Sequence, residues 1–192
     1  MLLTFTKADS KARGRDIKIE ELIMQMSYGG IAAMGDLYEL IATDVYAYAV
    51  SKTANKEDAE DVTHDTFVQI WKSAKQYSPM GKPLAWIFTI EINLIRKQKN
   101  KIKSSVPFDE ALESEADGTD FSEDLIADDF LWQMLNYLKE EEREVITLHI
   151  VSGLKHREIA KLLGKPLSTV LSRYNRAIKK LRNLMKERED SK

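Results

Sequence analysis

Leu154-Lys-His-Arg-Glu-Ile-Ala-Lys-Leu-Leu-Gly164, followed by Lys165-Pro-Leu-Ser-Thr-Val-Leu-Ser-Arg-Tyr-Asn-Arg-Ala-Ile-Lys-Lys-Leu-Arg182, reads as two helices joined by a tight turn. Ile159, Ala160, Leu162 and Leu163 share one face of the first helix. Gly164 permits a left-handed backbone, and Pro166 suits a first helical turn, where a missing N–H costs nothing. The second helix keeps Val170, Tyr174, Ala177, Ile178 and Leu181 at spacings of three and four, an inward stripe. Its other face carries Ser168, Thr169, Ser172, Arg173, Asn175, Arg176, Lys179, Lys180 and Arg182. Small hydrogen-bonding groups come early and cations late, the order that a helix entering a major groove needs. The competing reading is an ordinary helical hairpin with a solvated charged face.

Outward from this pair, the chain of 192 residues is long enough for one large or two small domains. No apolar run approaches a membrane span, so direct membrane insertion is not expected. Residues 1–16 lack the apolar core of a signal peptide and read as a flexible arm. Cysteine is absent, which removes disulfides and thiolate chemistry and fits a cytoplasmic location. The net charge of −2 conceals a division: residues 104–130 hold ten acidic side chains and no basic one, whereas residues 131–192 hold 14 basic and eight acidic. That asymmetry points to a polyanion partner for the C-terminal part.

Residues 17–103 read as a first helical domain. A short amphipathic helix over Ile17–Tyr28 is broken by Gly29-Gly30. Apolar residues from Ile31 to Ala49 form a long helical stripe. Asn55, with Lys56-Glu57-Asp58 behind it, starts a helix reaching about Lys75, with acids in its first turn. Ala59, Val62, Phe67, Ile70, Trp71 and Ala74 can face inward, opposite Asp58, Asp61, His64, Asp65 and Gln69. That polar face is either plainly solvated or a docking surface.

Gln76 to Pro83 is a loop punctuated by Pro79, Gly81 and Pro83. Leu84 to Ile95 is a strand or a buried helix, with length and neighbours favouring helix. Five Lys and Arg residues follow within 96–103. They complement a helix dipole, or attract phosphates beside the stacking surfaces of Tyr77, Trp86 and Phe88. Residues 104–127 form an acidic flexible linker. Asp117 to Asp124 only superficially suggests a calcium loop, with its Gly misplaced and no Glu at the twelfth position. Residues 128–192 form a second domain of about four helices. The fold class is therefore all-α: two small helical domains joined by an acidic tether. His64, His149 and His156 have no ligand spacing and no Gly-rich phosphate loop is present, so no metal, cofactor or catalysis is expected.

Three motifs together resemble an extracytoplasmic-function sigma factor of the sigma-70 family, with regions two and four only. Asp58-Ala-Glu-Asp-Val-Thr-His-Asp-Thr-Phe-Val-Gln-Ile-Trp71 is similar to the region-two helix that binds core polymerase. Pro83-Leu-Ala-Trp-Ile-Phe-Thr-Ile-Glu-Ile-Asn93 resembles the helix facing the −10 element. Arg143-Glu-Val-Ile146, Gly153-Leu154, Glu158-Ile-Ala160, Leu163-Gly164, Thr169-Val170, Ser172-Arg173 and Arg176-Ala177 resemble region four.

The resemblance implies that Asp61, His64, Asp65, Phe67 and Gln69 dock on the beta-prime clamp helices of core RNA polymerase, with His64 where Gln is more usual. Region four would meet the beta flap. Tyr77, Lys82, Trp86, Asn93, Lys97 and Gln98 would take up the melted −10 strand. Ser168, Thr169, Leu171, Ser172, Asn175 and Arg176 would read the −35 element, with Arg173, Lys179 and His149 nearer phosphates. An anti-sigma factor is an expected partner, and could hold the chain at a membrane.

The sequence departs from the family at three further places. Leu171 stands where Lys or Arg is common, and a thymine methyl is a possible target for it. Glu91 and Ile92 replace Ala-Arg before Asn93, and Glu91 would repel phosphates if it faced DNA. Lys97 replaces an Asp. Two rival readings are a stand-alone helix-turn-helix regulator with a helical sensing domain, and a nucleic-acid enzyme with a metal held by the acids of residues 109–129.

Overall fold

The computed structural model describes residues 7–53, 56–105 and 137–189. Among them are seven α-helices and no strand: α1 (Lys7–Ser27), α2 (Ala32–Lys52), α3 (Lys56–Ser73), α4 (Pro83–Ser105), α5 (Glu140–Ile146), α6 (His156–Leu163) and α7 (Leu167–Glu189). A 3-10 turn, Ala74–Gln76, follows α3, and a π-helical segment, Thr147–Val151, extends α5. The expected acidic linker and the first helical stripe of the second domain fall largely outside the described residues.

α1 differs most from the sequence reading. It starts at Lys7, inside the stretch expected to be a flexible arm. Residues 7–16 show no apolar stripe, so periodicity gives no signal there. Tertiary contact supplies the support: Arg15 donates to Asp44 Oδ1 at 3.1 Å and to the Leu40 carbonyl at 3.0 Å on α2. Beyond that, Ile19, Leu22, Ile23 and Met26 are buried. Tyr28 to Gly30 form the expected break, with Gly29 at φ 87°.

The run Leu84 to Ile95 is helix. Leu84, Ile87, Phe88, Ile92 and Ile95 are buried at helical spacings, and so is Glu91. Phe88, expected as a stacking surface, is wholly buried against Tyr48, with ring centroids 5.5 Å apart.

In the second domain, Glu142 Oε2 accepts the Lys139 N–H at 3.1 Å and Glu158 Oε2 accepts the Lys155 N–H at 2.9 Å. Each carboxylate caps the helix it belongs to from its first turn. Gly164 links α6 to α7 at φ 63°, ψ 35°. Leu138, Ile146, Ala177 and Leu181 close a small core between α5 and α7.

The two domains pack on each other. Val145, Leu148, Leu154 and Ile159 share one continuous buried cluster with Tyr48, Ala49, Phe88 and Ile95. Polar contacts ring this seam. The Tyr48 hydroxyl donates to Glu144 Oε1 at 2.8 Å. Lys52 lies 2.6 Å from Glu140 and 3.3 Å from Glu144, and Lys99 lies 3.3 Å from Glu140. Lys82 reaches Glu158 at 2.8 Å.

Candidate nucleic-acid interface

α3 is amphipathic. Ala59, Val62, Phe67 and Ile70 are buried, whereas Asp61, His64 and Asp65 are exposed on the opposite side. Gln69 is half-buried and donates to Ser73 Oγ at 2.9 Å. Phe67 does not belong to the exposed set. It is 3% exposed and packs on Tyr38, with ring centroids 4.8 Å apart, so it supports the polar face from beneath. Its position five after Val62 and three before Ile70 puts it on the inward stripe.

On α4, Trp86, Asn93 and Lys97 recur at seven and four residues and share one face. Asn93 and Lys97 are exposed; Trp86 and Gln98 are half-buried. Tyr77 is more deeply placed than expected. It is 8% exposed, and its ring rests 4.8 Å from that of Trp86. Its hydroxyl donates to Glu20 Oε1 at 2.7 Å, and the Met80 and Gly81 N–H groups donate to the same oxygen at 3.1 and 2.9 Å. Burial, then the Glu20 carboxylate, push the Tyr77 phenol above its ordinary range. Lys82, at the end of this loop, is occupied by Glu158 of α6.

Glu91 does not face DNA. Neither of its oxygens has a hydrogen-bond partner. Burial drives its carboxyl well above the usual range, the Ala49 backbone opposes this only in part, and Asp44 adds to it. Such a place favours the protonated carboxyl.

On α7, Ser168, Leu171, Ser172, Asn175, Arg176 and Lys179 lie three or four apart and are all exposed, with Leu171 at 39%. Thr169 is half-buried, and its carbonyl accepts from Ser172 Oγ at 3.1 Å. Arg173 departs from expectation. It is 8% exposed, three residues after buried Val170 and four before buried Ala177, and it pairs with Glu141 at 2.9 Å. Its place on the inward stripe takes it away from a phosphate. His149 lies on the π-helical segment, half-buried. Its Nδ1 is 2.8 Å from the Leu154 carbonyl, and its ring stacks with His156 and meets Tyr174 edge-on. Burial, then His149, hold the His156 imidazole below its ordinary range.

The residues whose ties between elements the sequence could not bring forward are Glu20, Tyr48, Lys52 and Glu158. Glu158 carries a legible cap signal, three residues after Lys155. Its pairing with Lys82 carries none.

The described residues thus present a helix with a polar outer face, a following helix with an aromatic and cationic face, and a helix-turn-helix with an exposed polar face. Residues 37–104 match the family Sigma-70 region 2, and residues 131–181 match Sigma-70, region 4. The chain is 30% identical over 159 residues to the ECF RNA polymerase sigma factor RpoE of Cereibacter sphaeroides, covering 80% of this chain and 87% of that one. It is 26% identical over 185 residues to the ECF RNA polymerase sigma factor SigK of Mycobacterium ulcerans, covering 90% of this chain and 96% of that one. The sigma factor RpoE solved with the anti-sigma factor NepR from Bartonella quintana superposes with a TM-score of 0.58 at 27% identity, over 79% of this chain and 96% of that one. CnrH solved with the cytosolic domain of CnrY gives 0.58 at 23% identity, over 88% and 98%. The chain belongs to the extracytoplasmic-function sigma factors of the sigma-70 family.

Proposed function

We propose that this sigma factor docks on core RNA polymerase through the exposed side chains of α3 and reads two promoter elements, one with each domain. Asp61, His64, Asp65 and Gln69 meet the beta-prime clamp helices, with Phe67 holding the face in shape. Trp86, Asn93, Lys97 and Gln98 take the −10 strand together with the 77–82 loop. Ser168, Thr169, Leu171, Ser172, Asn175, Arg176 and Lys179 read the −35 element. Arg173 fixes α7 on α5 through Glu141, and His149 steadies the turn behind α7. Linking two modest DNA contacts in one chain strengthens both, because the second binding step is intramolecular. The chain contributes specificity rather than chemistry.

The carrying observation is the face of α3, where Asp61, His64 and Asp65 stand exposed over a well-packed apolar side. Among the described residues, nothing covers Asp61, His64 or Asp65. An anti-sigma partner goes with this reading, as for the RpoE relative solved with NepR. So does action in the cytoplasm, where DNA and polymerase are. Among the described residues, no helix is long and apolar enough to cross a membrane.

The test is run-off transcription with purified core polymerase on genomic promoters from the source organism. Discrete transcripts that require the chain are expected. Reversing Asp61 and Asp65 to Lys should abolish them and weaken core binding by at least about tenfold, since both charges then oppose a basic partner. Unchanged core binding by the double variant would sink the docking assignment. Promoter binding without polymerase would favour the stand-alone regulator.

A further inference from the structure

Glu20 is the hub of the loop between α3 and α4. It projects from α1, whose anchorage in the core comes from Ile19, Leu22, Ile23 and Met26 and not from Glu20 itself. Glu20 is half-buried, and one of its oxygens collects three donors: the Tyr77 hydroxyl and the N–H groups of Met80 and Gly81. Gly81 has φ 67°, a left-handed turn that aims its N–H where the preceding one already points. Hydrogen bonds to a carboxylate are shorter and stronger than neutral ones. The rest of the loop, Ser78 to Lys82, is exposed, and its far end has a second tie in the Lys82–Glu158 ion pair at 2.8 Å.

We propose that Glu20 is the positioning residue of the promoter-reading loop, fixing Tyr77, Met80 and Gly81 in the conformation that selects the unpaired −10 base. This rests on the reading of residues 77–82 as part of the −10 contact. A loop ordered by Glu20 meets its conformational cost during folding and not on the DNA. It also offers every incoming base the same rigid outline, with the Tyr77 ring braced on Trp86. A loose loop adapts to any base and so discriminates poorly. Glu20 acts from behind; the groups that touch the base are those it holds.

The experiment uses the full chain and its complex with core polymerase. Glu20→Ala, Glu20→Gln, Tyr77→Phe and Trp86→Ala are compared with the parent chain in two measurements. Amide hydrogen exchange is followed at Met80 and Gly81. Binding is measured to single-stranded oligonucleotides spanning the −10 element of a promoter the parent transcribes, with each −10 base varied in turn.

Glu20→Ala should raise exchange at both amides by at least about tenfold, and lower the ratio of best to worst base by a factor of about five or more. Core affinity should stay the same. Glu20→Gln retains an amide oxygen as acceptor and should keep most of the discrimination. Tyr77→Phe removes one donor and should fall between. A purely structural loss would weaken all bases alike and leave the ratio intact. Unchanged exchange in Glu20→Ala overturns the inference. So does an intact ratio in Glu20→Ala alongside a collapsed one in Trp86→Ala, an outcome that leaves the −10 reading standing. If both variants keep the ratio, the −10 reading itself falls and takes the inference with it.

Discussion

Glu91 is wholly buried between α2 and α4, beside the Tyr48 that reaches across to Glu144, and neither of its oxygens is hydrogen-bonded. Its burial raises the carboxyl above the ordinary value of 4.5. The folded chain therefore keeps a proton that the unfolded chain releases, and stability falls as pH rises from about 4.5 toward the folded value. Replacing Glu91 by Leu removes both the proton uptake and an unsatisfied polar group. The variant should be more stable by roughly 1–3 kcal/mol at pH 8, with a smaller gain at pH 5. Thermal melts at the two pH values check this, and equal gains at both would refute it. Glu91 was partly legible in the sequence. It lies three after Phe88 and four before Ile95, on the inward stripe, although its charge suggested an outward, phosphate-repelling role. The same period places Arg173 inward, so spacing outranks residue type at both positions, whereas at Phe67 spacing and residue type agree against the docking role that the resemblance implied.

Among the elements, the helix-turn-helix was the most legible, because its two stripes and its turn glycine each have a local cause. Gly164 holds φ 63° with nothing within 4 Å of where a Cβ would stand. Any substitution cost there is backbone strain alone. Gly164→Ala should destabilise the fold by about 1–2 kcal/mol, lowering Tm by about 2–8 °C, with α7 still formed. A calorimetric scan reads this, and a larger loss would mean that α6 and α7 had shifted apart. α1 was the least legible element. Its first turns carry charges without periodicity, and its order comes from Arg15 reaching Asp44, 29 residues away. The ambiguity over Leu84 to Ile95 has another cause. A run apolar on most sides has no clear period, and only its length and its neighbours pointed to helix.

At the scale of the whole molecule, the two domains are closed on each other. Nothing local foretells this, since Lys52, Lys99, Glu140 and Glu144 each read as ordinary solvated charges or helix-end charges. Their pairing emerges only when α5 is laid across α2. Closure ties Lys82 to Glu158 of the helix-turn-helix, so on the proposed reading the chain opens for its two faces to lie on separate stretches of DNA. Dyes placed one on each domain should move apart when core polymerase binds. Lys52→Glu replaces two attractions with repulsions and should open the free chain on the order of tenfold more often. Energy transfer between the dyes reports both effects. Unchanged transfer in Lys52→Glu would mean that the apolar seam alone keeps the domains together.

The Lys82–Glu158 pair also bears on how the chain responds to salt. When a lysine meets a phosphate, DNA sheds a condensed cation, and this release is what makes such binding weaken as salt rises. On the proposed reading, Lys82 leaves Glu158 before it meets a phosphate, and opening the seam likewise frees Glu140 and Glu144. Each freed carboxylate gathers cations from solution, against the direction of release from DNA. The net exchange of ions on promoter binding is therefore smaller than the number of cationic contacts, and affinity declines with ionic strength less steeply than those contacts alone would dictate.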